Sequence, residues 1–144
     1  MTDRPRPLPV TDDPDTGGFF AAASRGEVAL CACTQCGAVL HLPRPYCHQC
    51  GSWDTAWRPV SGRGRLYSWT VVEHQVHPAF PVPHTIVLVE LADEPGARLV
   101  GWLPGRPELE AGMEMRASFE AVSDDTTLVQ WVPATDVEEG ATTR

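Results

Sequence analysis

The sequence predicts a mainly β protein, in which a short N-terminal helix and a small metal-binding module precede a five-stranded barrel. The motif Cys-x-x-Cys-Gly occurs twice, at Cys33–Gly37 and at Cys47–Gly51. Fourteen prolines and twelve glycines in 144 residues favour turns and short strands over a helical bundle. Five short segments rich in β-branched and aromatic residues follow the second motif, as expected for a small barrel.

Both ends of the chain are predicted to be disordered, over residues 1–14 and 136–144, because they are too polar to pack alone. Residues 15–26 predict a short helix, since they offer a polar cap, an alanine-rich body and a glycine stop. This helix carries Phe19 and Phe20, which are candidates for a partner interface. The alternative is that both rings cover the neighbouring core.

The repeated cysteine motif predicts a metal site. Two Cys-x-x-Cys turns that face each other supply the four tetrahedral thiolates that zinc prefers. The predicted ligands are Cys33, Cys36, Cys47 and Cys50. The glycine after each pair can take a positive φ, which lets the chain turn after the second sulfur. Residues 27–60 are therefore predicted to form a ribbon around one structural zinc, with iron as the alternative because it also accepts four thiolates.

Two further residues near the motifs are predicted to lie outside the ligand set. Cys31 is interpreted as a small strand residue, because Cys33 and Cys36 already satisfy the two-residue spacing. His48 lies inside the second turn and is expected to point away from the metal. A thioredoxin-type redox site fits poorly, since it needs a single motif at the start of a helix.

Residues 61–135 are predicted to form an OB-type barrel. The five predicted strands are 65–74, 85–91, 98–102, 113–121 and 127–132. Three prolines exclude a central strand from Gln75 to Pro83 and predict a long loop there. Phe80 in this loop is a candidate partner contact, and covering the open end of the barrel is its alternative role.

The charge and the thiols limit the classes of function. The formal net charge is −8, from 19 acidic and 11 basic residues, which argues against a general nucleic-acid binder. No apolar run approaches the ~20 residues that cross a bilayer. The first ten residues contain two arginines and no apolar core segment, so a secreted disulfide framework is not indicated. With free thiols, the chain is expected to be cytoplasmic.

The order of these features resembles the acyl-CoA-associated zinc-ribbon/OB-fold family. The residues that carry the resemblance are Phe19 and Phe20 before Gly26, Cys33–Gly37, Pro43–Pro45, Cys47–Ser52, Trp57, Ser61–Gly64 and Gly112–Met113. The resemblance implies a rubredoxin-like zinc ribbon beside an OB-fold, and a structural zinc. It also implies an accessory role for a thiolase-like, aldolase-like or lipid-transfer-type enzyme that handles CoA thioesters, or for a hydratase. Two departures are His48, where several relatives carry proline, and the additional Cys31.

The resulting hypothesis is a non-catalytic accessory subunit that binds such an enzyme and supports acyl-CoA chemistry. Arg44, Arg58, Arg63 and Arg65 are candidate contacts for a CoA phosphate, because guanidinium groups form paired hydrogen bonds to phosphate oxygens. Ordinary surface charge is the alternative for all four.

Two other classes of function compete with this one. A single-stranded nucleic-acid-binding module would use aromatic residues such as Tyr67, Trp69 and Trp102 to stack bases. An enzyme in its own right would need acid-base groups, for which the sequence offers only the histidines near the proline-rich loop. No nucleophile motif, P-loop or dinucleotide fingerprint accompanies them.

Overall fold

The computed structural model describes residues 4–135, so the predicted tail 136–144 and the first three residues lie outside the described part. The mainly β fold class is confirmed: one short helix, a two-stranded ribbon and a five-stranded sheet. The chain divides into two compact units. The ribbon unit comprises Pro9–Gly62 and Phe119–Val129, and the sheet unit comprises the residues up to Leu8, Arg63–Ser118 and those from Gln130.

The ribbon unit begins with helix α1, Gly17–Ser24, which lies within the predicted segment 15–26. The carboxylate of Asp13 organises its start by accepting hydrogen bonds from the backbone N–H groups of Asp15 and Thr16, both at 2.8 Å. The Thr16 hydroxyl also donates to Asp13 and is the main cause of the lowered pKa of this carboxyl. The helix is therefore preceded by a polar turn, and the Thr16 side chain itself makes no cap.

Strands β1, Val28–Cys33, and β2, Thr55–Val60, pair antiparallel from Val28 opposite Val60 to Cys33 opposite Thr55. All six residues of β1 are buried. Helix α1 packs against this hairpin at Gly18, where a Cβ atom would overlap the indole of Trp57. The close approach explains why this helical position carries glycine despite its low helix propensity.

The five-stranded sheet follows the order β5-β4-β3-β6-β7. Its strands are β3 Arg63–Val72, β4 His84–Leu91, β5 Arg98–Pro104, β6 Glu114–Ser123 and β7 Thr126–Pro133. These agree closely with the predicted strands. Along β6 the exposure alternates clearly only near Met115, which is buried between exposed Glu114 and Arg116.

The core of the sheet unit consists of alternate residues of β4, together with side chains such as Leu66, Met115 and the fully buried Trp131. Strands β5 and β7 form the edges of the sheet order, and a side chain links them: the backbone N–H of Trp102 donates to Oε1 of Gln130 at 2.8 Å. Gly101 permits this approach, because a Cβ there would lie 2.9 Å from the backbone nitrogen of Trp131.

The predicted loop between the first two sheet strands is folded back on itself. The amide of Gln75 donates to the carbonyls of Pro78 and Phe80, and the backbone N–H of Phe80 donates to the carbonyl of His77. The guanidinium of Arg6 lies over the Phe80 ring at 5.5 Å. Within residues 4–135 no helix has the length and hydropathy that a bilayer crossing requires.

Candidate metal centre

The two Cys-x-x-Cys-Gly segments form turns with the same backbone hydrogen bonds. In the first, the N–H of Cys33 donates to the carbonyl of Ala38 at 2.8 Å and the N–H of Gly37 donates to that of Cys33 at 3.0 Å. In the second, Cys47 donates to Ser52 and Gly51 donates to Cys47, both at 2.8 Å. The glycines have φ of +77° and +76°, which glycine adopts without steric cost. One local structure thus occurs twice.

These turns bring four sulfur atoms together. The Sγ atoms of Cys33 and Cys50 are 3.6 Å apart, those of Cys36 and Cys47 are 3.5 Å apart, and all four lie within 4.8 Å of one another. A tetrahedron with Zn–S bonds of about 2.3 Å has sulfur separations of roughly 3.8 Å. The sulfur set therefore fits one zinc ion, and the chain has a zinc-ribbon domain with four cysteines clustered for one structural zinc.

The surrounding ribbon positions the sulfurs. Cys33 and Cys47 are buried and pack with Cys31 and Leu40, with Ala38 and Trp57 partly buried beside them. Cys36 and Cys50 are the exposed members of the set. Each turn therefore contributes one inner and one outer sulfur. The guanidinium of Arg58 also donates to the carbonyl of Gly37 at 3.4 Å, which ties β2 to the first turn.

The thiol pKa shifts in opposite directions at the inner sulfur of Cys33 and at the outer sulfur of Cys50. Hydrogen bonds from the backbone of Cys36, and then of Gln35, lower the pKa of Cys33 to about 6. The backbone of Ser52 lowers the pKa of Cys50, but desolvation and the neighbouring thiol groups outweigh this effect and raise it to about 12. Sulfurs this close cannot all be thiolates without a cation between them, and a zinc ion supplies that charge.

Cys31 and His48 lie outside the four-sulfur set. Cys31 is buried in β1, its carbonyl accepts from the N–H of Leu40 at 2.8 Å, and its thiol is not part of the clustered group. The side chain of His48 is exposed and lines a surface cavity with Leu40, His41, Leu42 and Arg44.

The four candidate phosphate-binding arginines are divided between the units. Arg44 and Arg58 belong to the ribbon unit, whereas Arg63 and Arg65 belong to the sheet unit. Arg65 donates to the carbonyl of Gly112 at 3.2 Å, and Arg58 is engaged at the first turn as described above. A shared phosphate site for all four stays a prediction.

The candidate partner residues Phe19, Phe20 and Phe80 are all half-buried. Larger apolar exposure occurs at positions that sequence reasoning did not single out as contacts: Val76, Leu42, Trp53 and Val100. The ring of Trp53 lies 5.5 Å from that of Tyr46, at an interplanar angle of 44°, near the second turn. Exposure of a single apolar residue outside a strand, as at Val76, Leu42 and Trp53, has no periodic signal, so the sequence could not rank these three.

Two of the three aromatic residues considered for base stacking, Tyr67 and Trp102, contact other side chains of the protein, whereas Trp69 is 39% exposed. The guanidinium of Arg98 lies 3.6 Å from the centre of the Tyr67 ring and also bonds Glu90 at 3.1 Å. Trp102 is half-buried, and its ring lies 5.8 Å from that of His84. His84 itself is buried, with Nδ1 2.8 Å from the carbonyl oxygen of Pro81.

Two domain models of one family match this chain. One, described as the ChsH2 rubredoxin-like zinc ribbon domain, matches residues 20–54, and the other, the ChsH2 C-terminal OB-fold domain, matches residues 57–120. A solved chain named "Ltp2-ChsH2(DUF35) aldolase" is 33% identical with a TM-score of 0.79, over 88% of this chain and 99% of that chain.

Two other relatives are more distant or longer. A solved DUF35-family protein of unknown function from Sulfolobus solfataricus is 16% identical with a TM-score of 0.54, over 83% of this chain and 85% of that chain, and shows the fold alone. A Thermomonospora curvata protein named "Probable enoyl-CoA hydratase alpha subunit" is 35% identical over 93% of this chain. The present chain spans only 42% of the length of that relative.

Proposed function

The chain belongs to the ChsH2 family, and on that premise we propose that it is a non-catalytic accessory subunit of an aldolase-like or thiolase-like enzyme that acts on CoA thioesters. The observation that carries the proposal is the similarity to the chain named as part of an Ltp2-ChsH2 aldolase, which extends over 99% of that chain. Similarity over a whole chain supports a shared role more strongly than similarity over one domain.

The proposed role of the zinc is structural. Cys33, Cys36, Cys47 and Cys50 would occupy all four positions of a tetrahedral ion and leave none for a substrate or a water molecule. A bound zinc in this set would hold the two turns together, because two of its four ligands would come from each turn. All five cysteines are free thiols, which suits the reducing conditions of the proposed cytoplasmic location.

Two of the histidines near the proline-rich loop, His77 and His84, support an accessory role over catalysis by the chain itself. His84 is 7% exposed and its Nδ1 is held by a carbonyl oxygen, so it offers little access to a substrate. His77 accepts a hydrogen bond at Nδ1 from the backbone N–H of Ala79 at 3.2 Å, within its own loop. Both imidazoles thus stabilise the long loop and its junction with β4.

The proposed partner contacts lie at Phe19, Phe20 and the loop that contains Phe80. Within that loop Val76 is 88% exposed, whereas Phe80 is half-buried beneath Arg6. An exposed apolar side chain on an internally bonded loop is a suitable interface anchor, because docking costs little further ordering. Val76 would therefore contribute most of the new contact area in this loop.

Affinity purification of the tagged chain from its native host tests this function. We expect a thiolase-like or aldolase-like protein to be recovered in stoichiometric amount, and acyl-CoA turnover to need both proteins. Val76→Asp should weaken the recovery, whereas Val10→Asp, at another exposed apolar position, should not. Recovery of nucleic acid alone, or turnover by the isolated chain, would contradict the proposal.

A hydratase is the second candidate partner, favoured by the name of the Thermomonospora curvata relative. The region of that protein that matches this chain is less than half of its length, so the relative has additional sequence of its own. A separate hydratase subunit could serve the present chain instead. The same purification distinguishes the two candidate partners when the recovered enzyme is assayed. Hydration of an enoyl-CoA and cleavage of a carbon–carbon bond give different products.

A further inference from the structure

A surface cavity lies in the ribbon unit close to the second cysteine turn. Its volume is about 360 Å³, and its lining consists of Leu40, His41, Leu42, Arg44 and His48. Small-molecule sites typically measure about 300–1,000 Å³, so the cavity can hold one small group. The three polar lining side chains all carry nitrogen donors, and among the described residues that line the cavity there is no carboxylate. In a chain with a net charge of −8, such a lining indicates an anion site.

Arg44 supplies the positive charge of this cavity. A guanidinium keeps its proton at any physiological pH, and its planar fork of donors matches phosphate oxygens. The flanking prolines Pro43 and Pro45 fix their own φ and restrict Arg44 to an extended backbone. The two other arginines with hydrogen bonds noted above, Arg58 and Arg65, already donate to backbone carbonyls. Arg44 is accordingly preferred to these two as a phosphate contact.

His48 is presented to the same cavity by the second turn. The hydrogen bonds from Cys47 to Ser52 and from Gly51 to Cys47 define the backbone on both sides of it. A neutral imidazole still carries one N–H donor, so its contribution does not need a change of protonation. His41 makes another interaction within the protein, and for this reason the anion contact is assigned to Arg44 and His48.

We propose that this cavity binds a phosphomonoester dianion, namely the 3′-phosphate of CoA. This inference rests on the proposed function only in its choice of CoA as the carrier of the phosphate. A phosphomonoester is close to doubly charged at pH 7, so it gains more from a guanidinium than a diester does. Leu42, which is 73% exposed, offers the attached nucleoside an apolar surface at the rim.

Calorimetric titration of the zinc-loaded full chain with CoA and with dephospho-CoA, which lacks only the 3′-phosphate, tests the site. We expect CoA to bind about tenfold more tightly than dephospho-CoA, because its 3′-phosphate adds one charge-assisted contact. Arg44→Gln should reduce this ratio to about one, and His48→Ala should reduce it part of the way with zinc content unchanged. The control Arg25→Gln removes the same charge in the same unit outside the cavity and should keep the ratio.

Equal affinities of the wild-type chain for the two ligands would overturn the inference, as would identical behaviour of Arg44→Gln and Arg25→Gln. Inorganic phosphate should compete with CoA in the wild-type chain and not in Arg44→Gln. The affinity purification of the partner enzyme is an independent test. Recovery of the enzyme together with equal ligand affinities defeats only the phosphate site, whereas an intact ratio without enzyme recovery defeats only the accessory function.

Discussion

The ribbon and the sheet of this protein are stabilised in different ways. In the ribbon, strand β1 buries all six of its residues, but these are mostly small, and the cluster beside them contains three cysteines. In the sheet, β4 buries every second residue along most of its length, and large side chains such as Trp131 are fully buried in the same unit. The ribbon therefore depends on a metal ion where the sheet depends on apolar burial.

The largest expected effect follows from removing one inner sulfur. Cys47→Ser should lower the bound zinc well below one ion per chain and unfold the ribbon, because structural zinc contributes about 10–16 kcal/mol in zinc-finger peptides. Elemental analysis measures the zinc, and amide hydrogen exchange reports the two units separately. Protection should fall in β1 and β2 and persist in β4.

Cys31→Ala is the matched control for that substitution. It also removes a buried thiol from the ribbon, but from outside the four-sulfur set, so it should keep one zinc per chain. The cost should be about 1 kcal/mol of stability from lost packing. Loss of zinc in this variant, or its retention in Cys47→Ser, would contradict the ligand assignment.

The second largest effect is expected in the sheet. Trp131 is fully buried, and Trp131→Ala should cost about 3–5 kcal/mol of unfolding free energy through lost burial and the cavity left behind. Urea unfolding followed by circular dichroism measures this loss. Zinc content should remain unchanged; a parallel loss of zinc would show that the two modes of stabilisation are not separate.

Two glycines, one in the ribbon and one in the sheet, test how closely each region is packed. Gly18→Ala should raise helix propensity by about 1 kcal/mol but drive a methyl group into the indole of Trp57. Gly101→Ala places a methyl group 2.9 Å from the backbone nitrogen of Trp131. Overpacking of this kind costs about 1–3 kcal/mol, so both variants should melt at lower temperature.

The exposed neighbour on β5 provides the comparison for the second glycine. Val100 is 63% exposed, and Val100→Ala should change stability by less than about 0.5 kcal/mol. If Gly18→Ala stabilises the protein instead, the helix does not pack on Trp57 as closely as the structure shows.

The smallest expected effect concerns the link between the edge strands. Gln130→Ala removes the acceptor for the Trp102 N–H and should cost about 1 kcal/mol, with faster hydrogen exchange at that amide. Gln130→Glu keeps an acceptor oxygen and should retain most of the protection. Equal exchange rates of the Trp102 amide in the two variants would indicate that backbone contacts, and not the side chain of Gln130, protect this amide.

Much of the fold could be predicted because its signals are local. The five sheet strands follow from β-branched runs separated by glycine and proline turns, and the four clustered cysteines follow from a repeated spacing. The role of Asp13 in starting the helix was missed, because the predicted helical segment with its polar cap began only at residue 15.

The sequence by itself determined the cysteine set, the order of the elements and the acidic charge, because spacing, propensity and composition act over a few neighbouring residues. Only the tertiary structure decided that Gln130 bonds Trp102, that Gly101 faces Trp131, and that Arg44 and His48 line one cavity. Such contacts depend on how distant or irregular segments pack, and packing is set by the whole core and not by any local pattern.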